Sequence, residues 1–300
     1  MTTKNAHSFK DWLIATRPWS FPASAMPVLV TCAYLFWKGT DDVNWLVGLL
    51  TIFDVVIFHA AGNTWSDYKD FVSGVDREDT IGGLSITSGQ FAPKEIKSLS
   101  VLLLVVAMLI GGVITYLTGW QTLCFALAGA LLSLLYPWLK YHALGDVDIF
   151  LTYSLLPILG TSFVVIGRFD FDVLWLTLPI GLITVGILHA NNIRDMEHDK
   201  RAGIHTLAML LGKKVSVFLY CAYMMLPFIW VIVAVILGIF PLWSLLVLIA
   251  LIPAIGNIVK AVRYPREGMT AMAGIDEKTA QLQLAFSLML TLSLVIPALL

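Results

Sequence analysis

The chain has 300 residues, of which 58% are hydrophobic and only 13% are charged, and its formal net charge is −1. Soluble domains carry roughly a quarter charged residues, so this composition excludes an ordinary soluble protein and indicates a polytopic membrane protein. The near-neutral charge and the lack of a basic patch give no reason to expect a nucleic-acid partner.

The first predicted element is a short amphipathic helix over residues 8–16. Ser8 is suited to cap it, and Phe9, Trp12 and Leu13 recur at helical spacing. We expect this helix to lie in the membrane interface and to end at Arg17-Pro18. The first apolar run begins only after this point and shows no small-residue cleavage site, so we predict no cleavable signal peptide.

Apolar runs of membrane length then follow one another to the end of the chain. Each approaches the ~20 residues that a helix needs to cross a ~30 Å hydrocarbon core. They lie at approximately 20–37, 43–64, 97–118, 120–139, 147–167, 173–192, 215–238, 242–260 and 281–300. The sequence therefore predicts an all-α membrane protein of about nine transmembrane helices. With no linker or low-complexity segment, residues 1–300 are predicted to form a single domain, with pieces of the long loops acting as caps.

The distribution of lysine and arginine predicts the orientation. All of them except Lys38 and Arg168 fall in the N-terminal segment or in the even-numbered loops. By the positive-inside rule these parts face the cytoplasm, so we expect a multi-pass protein of the cell membrane, the bacterial inner membrane, with the C-terminus outside.

Two acidic clusters lie in the predicted cytoplasmic loops. Motif one, residues 63–76, contains Asn63, Asp67 and Asp70 at i, i+4 and i+7, so all three project from one face of a helix. Asp76 also belongs to this motif, but its spacing takes it off that face. Gly74 follows the helical part and is able to end a helix.

Motif two, residues 191–203, repeats the pattern about 128 residues later. Asn191, Asp195 and Asp199 are spaced i, i+4 and i+8, and Gly203 follows. The likeness of the two motifs hints at two related halves, although no wider repeat is visible.

Facing carboxylates at a membrane edge repel one another unless a cation lies between them. Mg²⁺ suits this position, because it prefers oxygen ligands and binds through a few carboxylates plus substrate phosphates. Neither an EF-hand spacing nor a zinc ligand set is present. Four cations are placed to hold a diphosphate: Lys140, Arg194, Lys200 and Arg201. The alternative is that both motifs are simply solvated loop starts.

Four sequence pieces, in order along the chain, identify a family. They are Arg17-Pro-Trp-Ser-Phe-Pro-Ala-Ser24, Asp67-Tyr-x-Asp70-x3-Gly74-x-Asp76, Tyr136-Pro-x2-Lys140-Tyr141-x3-Gly145-Asp146, and Asn191-Asn192-x-Arg194-Asp195-x3-Asp199-x3-Gly203-x2-Thr206-Leu207. With these pieces the chain resembles the UbiA superfamily of membrane prenyltransferases, and most of all its 1,4-dihydroxy-2-naphthoate polyprenyltransferases of menaquinone synthesis. The resemblance implies nine transmembrane helices around a central cavity.

Two positions depart from the family pattern. Relatives usually have Asn directly before the first aspartate of motif one, where this chain has Ser66, although Asn63 is kept. The naphthoate enzymes commonly carry a basic residue before the threonine of motif two, where this chain has His205. We expect such changes to retune metal or diphosphate affinity.

The resemblance also implies a reaction and its participants. A polyprenyl group leaves its diphosphate and is attached to an aromatic ring, with dihydroxynaphthoate as the expected acceptor and the lipid bilayer as the surroundings. Mg²⁺ is then held by Asp67, Asp70, Asp195 and Asp199, with Asp76 as a lesser ligand. Lys140 and Arg194 stabilise the departing diphosphate, and an allylic cation is stabilised by aromatic faces among Tyr68, Tyr136 and Tyr141. Further expected substrate-binding residues are Arg17, Asn63, Asn191, Asn192, Lys200 and Arg201.

Several alternatives stay open at this point. The acceptor could be 4-hydroxybenzoate, haem or another ring, and acidic residues with broken helices also mark cation-coupled transporters. His59 and His189 either touch the acceptor or make a hydrogen bond inside the cavity, and Arg17 either meets a substrate carboxylate or anchors to lipid headgroups.

Overall fold

A computed structural model describes residues 7–41, 43–74, 84–201 and 203–300. The chain begins with α1 (Phe9–Ala15), which matches the predicted interfacial helix. Ser8 caps it as expected: its hydroxyl accepts from the Asp11 amide, and the Asp11 carboxylate accepts from the Ser8 amide. This reciprocal capping box satisfies two amides that would otherwise lack partners at the helix start.

In the described part of the chain, nine helical segments are long and apolar enough to span a membrane. This confirms the predicted all-α fold and its nine spans. The helices of the first five spans are α2 (Pro22–Trp37), α3 (Trp45–Val72), α5 (Pro93–Thr118), α6 (Gln121–Tyr141), and α7 (Gly145–Phe150) continuing through a π-helical turn, Leu151–Leu155, into α8 (Leu156–Ile166). The remaining four contain α9 (Thr177–Arg194), α11 (Leu207–Ile236), α12 (Leu251–Glu267) and α13 (Ile275–Leu299). Two short helices, α4 (Leu84–Thr87) and α10 (Met196–Arg201), lie between spans.

Several helices extend beyond the apolar runs that predicted them. The run ending at residue 64 is the first part of α3, which continues through polar residues to Val72. Likewise α13 begins at Ile275, six residues before the predicted start, with Asp276 and Glu277 in its first turn. Hydropathy detects the part of a helix that meets lipid, so it misses the polar turns that project beyond it.

The helices differ in how deeply they are buried. In α2 and α9, 61% of the most apolar stretch is buried inside the protein, whereas the value for α6 is 6%. The centre of the bundle therefore lies around α2 and α9, which both pack against α13. Most of the α6 surface remains for lipid.

A second, small apolar cluster lies next to α1. It consists of Ala15, Ile86, Phe91 and Ile96, with Trp12 and Tyr68 packed against it. These residues come from α1, α3, α4 and α5, so the cluster fastens the short helices to the ends of two spans, as expected for a cap.

Candidate active site

Motif one lies on the last turns of α3, where the helix is unbroken from Asn63 to Asp70. Asp67 and Asp70 are only 3% and 8% exposed. Asp67 forms an ion pair with Arg17. Asn63 donates hydrogen bonds to the Thr16 carbonyl and the Ser20 hydroxyl, both at 3.0 Å. Motif one is thus fixed against the segment that joins α1 to α2.

Arg17 adopts a backbone conformation that is uncommon for an arginine. Its φ is 57°, in the left-handed region that L-residues other than glycine seldom occupy. This turn points the guanidinium at Asp67, and such conformations persist where the surrounding structure holds them.

The second carboxylate of motif one is held by a hydroxyl. The Tyr141 hydroxyl donates to Asp70 at 2.5 Å. Tyr141 is the last residue of α6, so this bond joins the end of α6 to the end of α3. Tyr141 was expected to offer its ring to a cation, but here its hydroxyl is the part that contacts the site.

Motif two spans the junction of α9 and α10. Asp195 caps α9, and the amides of Asp195 and Asp199 donate to the carbonyls four residues earlier at 2.9 and 2.8 Å, so the helical path is almost continuous. Arg194 makes a two-pronged pair with Asp195, at 2.8 and 2.9 Å. Its third contact, at 2.9 Å, is to Asp276 of α13. Arg194 therefore holds motif two against α13.

Lys140 connects the two motifs. It lies within electrostatic range of Asp70 from motif one and of Asp199 from motif two. The main chain supports the same arrangement, because the His205 amide donates to the Tyr141 carbonyl at 3.2 Å. The ends of α3, α6 and α9 therefore meet at one place.

Two tyrosines lie near the inner part of this region. Tyr136 is one turn before Lys140 on α6, and both side chains are half-buried. Tyr153 lies on the π-helical turn, and its ring meets the His59 imidazole edge-on with centroids 4.7 Å apart.

Other residues expected at the site lie elsewhere or are not covered. Tyr68 packs in the cap cluster near Trp65. Lys200 is exposed at the surface. Asn192 is buried, and Asn191 has a buried amide oxygen without a hydrogen-bond partner among the described residues. Asp76 and the Arg201 side chain lie outside the part of the chain that the structure describes.

Sequence reasoning assigned no role to two acidic residues that the fold ties to other helices. Asp276 is 82 positions from Arg194, so no local spacing connects them. Asp146 lies 2.8 Å from the His189 imidazole, which also contacts the Ser216 carbonyl at 3.2 Å. His189 is thus occupied by protein contacts. The available signal was an acidic residue in an apolar segment, because a buried carboxylate needs a partner.

The oxygen-bearing side chains at this site are of the chemical type that binds Mg²⁺. Among the described residues, no three His, Cys, Asp or Glu side chains are close enough to form a ready metal site. Mg²⁺, however, commonly binds through one or two carboxylates together with substrate phosphates. Hard oxygen ligands of this type are offered by Asp70 and Asp199, both within electrostatic range of Lys140, and by the Asn191 amide oxygen, which has no hydrogen-bond partner among the described residues.

Comparisons with known proteins place this site in context. "UbiA prenyltransferase domain-containing protein 1" of Danio rerio is 34% identical over 72% of this chain and 66% of its own length. The Drosophila melanogaster homologue of that protein is 31% identical over 93% of this chain and 78% of its own length. The chain thus spans just under two thirds of the zebrafish relative.

A solved structure shares the fold. The UbiA homologue from Archaeoglobus fulgidus bound to GPP and Mg²⁺ superposes with a TM-score of 0.64 at 14% identity, covering 95% of this chain and 99% of the other. The sequence profile of the UbiA prenyltransferase family matches residues 25–273. The chain therefore belongs to the UbiA prenyltransferase family.

Proposed function

We propose that residues 1–300 form a single membrane-embedded domain that transfers a polyprenyl group from a prenyl diphosphate to an aromatic acceptor. The acceptor we propose is 1,4-dihydroxy-2-naphthoate, which places the reaction in menaquinone synthesis. One observation carries the proposal: the end of α6 joins both motifs, because the Tyr141 hydroxyl donates to Asp70 at 2.5 Å and the Tyr141 carbonyl accepts from the amide of His205, just after motif two, at 3.2 Å.

The comparisons support this activity. The curated relatives are named for the prenyltransferase domain. The Archaeoglobus fulgidus structure, which has the same fold, was solved with a prenyl diphosphate and Mg²⁺ bound to it. A diphosphate and a divalent cation are the ligands that clustered carboxylates and a lysine are suited to bind together.

In the proposed mechanism, Asp67, Asp70, Asp195 and Asp199 hold Mg²⁺, with Asp76 as an additional ligand. The bound metal neutralises diphosphate charge and so makes it a better leaving group. Arg17, Tyr141 and Arg194 keep three of these carboxylates oriented.

The remaining groups act on the organic part of the reaction. Lys140 stabilises the charge that develops on the diphosphate as its bond to the prenyl C1 carbon breaks. The Tyr136 ring, one turn from Lys140 on α6, stabilises the allylic cation. The acceptor ring carbon forms the new bond to C1 and loses its carboxylate as CO₂. The buried helices keep water away from the cation.

We further propose that the acidic motifs face the cytoplasm of a bacterial inner membrane. The basis is the excess of lysine and arginine on the side that carries both motifs.

The test is turnover by purified protein in detergent with Mg²⁺, prenyl diphosphates of several lengths, and a panel of acceptors analysed by mass spectrometry. We expect a prenylated, decarboxylated product from dihydroxynaphthoate. Product from 4-hydroxybenzoate alone would replace the acceptor assignment, and no product from any acceptor would contradict the proposal.

A further inference from the structure

Each acidic motif pairs an aspartate with an arginine, but the two pairs differ in which partner is accessible. In motif one the Asp67 side chain is only 4% exposed, whereas the Arg17 side chain is 35% exposed. In motif two the order is reversed: the Arg194 side chain is 9% exposed and the Asp195 side chain is 30% exposed. Water therefore reaches the arginine of the first pair and the carboxylate of the second.

The pair in motif two is fixed by a third side chain. Arg194 donates to both oxygens of Asp195, at 2.8 and 2.9 Å, and to Asp276 of α13 at 2.9 Å. Two carboxylates share this guanidinium, so the three side chains together keep a net negative charge. A divalent cation is attracted to Asp195 while Arg194 stays in place.

The backbone around Arg17 is fastened to α3 on both sides of the residue. Asn63 donates to the Thr16 carbonyl and to the Ser20 hydroxyl, both at 3.0 Å. The Ser20 hydroxyl in turn donates to the Arg17 carbonyl at 2.8 Å. The guanidinium, by contrast, ends a long and partly exposed side chain. It is therefore able to leave Asp67 by rotation about side-chain bonds, without movement of either helix.

Electrostatics opposes the binding of a guanidinium and a divalent cation to the same carboxylate. Arg17 and Asp67 form a formally neutral pair, which attracts a further cation only weakly. The two cations would also repel each other, and the burial of Asp67 removes water that would screen this repulsion. A carboxylate buried this deeply is costly without a positive partner. Asp67 therefore favours one cation at a time.

We infer that Arg17 is a displaceable counterion of Asp67: its guanidinium and a divalent cation compete for this carboxylate, and Arg17 turns toward solvent when the cation binds. The inference rests on the metal role of Asp67 in the proposed function and adds a positioning residue to it. Arg17 holds Asp67 in place and lowers the affinity of motif one for metal alone.

Binding of Mn²⁺, used as the probe for the divalent cation, tests this competition without turnover. Purified protein in detergent is titrated with Mn²⁺, and the free ion is measured by EPR spectroscopy with no prenyl diphosphate present. We expect Arg17→Gln to bind Mn²⁺ about fivefold more tightly than wild type, the factor that loss of one competing ion pair implies. Arg17→Lys keeps the charge and should stay near the wild-type affinity.

Lys69→Gln is the matched control for general charge. Lys69 is exposed and lies two positions from Asp67 on the same helix, with its ammonium group 5.2 Å from the Trp65 ring centroid. Removing this charge should change the Mn²⁺ affinity by less than about twofold, because water and salt screen an exposed charge. In an Asp67→Asn background, adding Arg17→Gln should give no tightening, since the contested carboxylate is gone.

Arg17→Asn decides the question if Arg17→Gln fails to fold, as judged by gel filtration. Asparagine tolerates the left-handed backbone at residue 17, where φ is 57°. It removes the same charge, so the same tightening is expected.

The outcomes separate this inference from the proposed function. Unchanged or weaker Mn²⁺ binding in the folded uncharged variants, equal tightening in Lys69→Gln, or no Mn²⁺ binding by any of these proteins would overturn the competition. The function then still stands if wild-type protein forms prenylated product. If wild-type protein forms no prenylated product, the function itself is contradicted, whatever the Mn²⁺ affinities.

Discussion

At the scale of single residues, Asp67 is buried and forms an ion pair with Arg17. Asp67→Asn keeps the shape of the side chain but removes the charge that faces Arg17 and, in our proposal, Mg²⁺. We expect turnover to fall by about 100-fold or more. The protein should remain folded, because Arg17 is partly exposed and water can solvate it. Steady-state rates and thermal unfolding in detergent measure the two effects.

Asp172→Asn is the control for this change. Asp172 pairs with Lys38 at 2.5 Å in a loop away from both motifs, so activity should be unchanged. Near-normal turnover in Asp67→Asn would contradict the assignment of motif one as a metal site.

Lys140 gives a second prediction at this scale. Lys140→Met removes the cation that lies within electrostatic range of Asp70 and Asp199. We expect kcat/KM for the prenyl diphosphate to fall about 100-fold to 1,000-fold, the range found when one stabilising donor is lost. Lys140→Arg keeps the charge and should retain more activity. Equal kinetics for wild type and Lys140→Met would show that this lysine does not contact the diphosphate.

Helical spacing was enough to find the residues of each motif, but not the partners of those residues. Asn63, Asp67 and Asp70 share one helix, so their common face follows from sequence. The position of Asp276 depends on how α13 packs against α9, which a pattern of local spacings does not contain. Arg194 was expected to hold phosphate. It lies instead between two carboxylates, and its role toward a diphosphate stays a prediction.

At the scale of helices, two glycines of α9 are expected to differ in how well they tolerate substitution by alanine. A methyl group at Gly181 would lie 2.6 Å from the Phe150 ring and 2.9 Å from the Ser154 Cβ, and a Cβ atom cannot rotate away from its own backbone. At Gly186 the obstacle is the terminal methyl group of Met224 at 2.4 Å. A methionine end can rotate away, so this position is more tolerant.

We therefore expect Gly181→Ala to destabilise the protein by about 1–3 kcal/mol through overpacking, and Gly186→Ala to cost much less. Thermal unfolding midpoints in one detergent compare them. Gly129→Ala is the control, because a Cβ there meets no atom within 4 Å. A larger loss at Gly186 than at Gly181 would contradict the packing of α9 against α7.

The contact between Asp146 and His189 joins α7 to α9, and the Ser216 carbonyl extends it to α11. Removing one member of a buried pair leaves the other without its partner, typically at about 3–5 kcal/mol, whereas replacing both by apolar residues is often far less costly. Asp146→Leu alone should therefore lower the unfolding midpoint more than Asp146→Leu combined with His189→Leu. Additive losses would show that the two side chains do not interact.

At the scale of the whole molecule, apolar runs predicted nine spans because length and hydropathy govern membrane insertion. They did not predict the contact between Tyr153 and His59. Tyr153 lies on a π-helical turn, and its ring meets the His59 imidazole edge-on, but no periodicity in the sequence marks Tyr153 as inward-facing.

Orientation is the remaining prediction for the whole molecule. Lys200 lies in motif two and Arg168 in the loop between α8 and α9, on opposite sides in our assignment, and both are exposed. Single cysteines are placed at these positions after Cys32, Cys124 and Cys221 are replaced by serine. A membrane-impermeant maleimide should label Arg168→Cys in intact bacterial cells and Lys200→Cys only in inverted vesicles, since lysine and arginine are retained on the cytoplasmic side. The reverse labelling would put both acidic motifs outside, where a substrate made in the cytoplasm does not reach them, and would require a different source for the prenyl diphosphate.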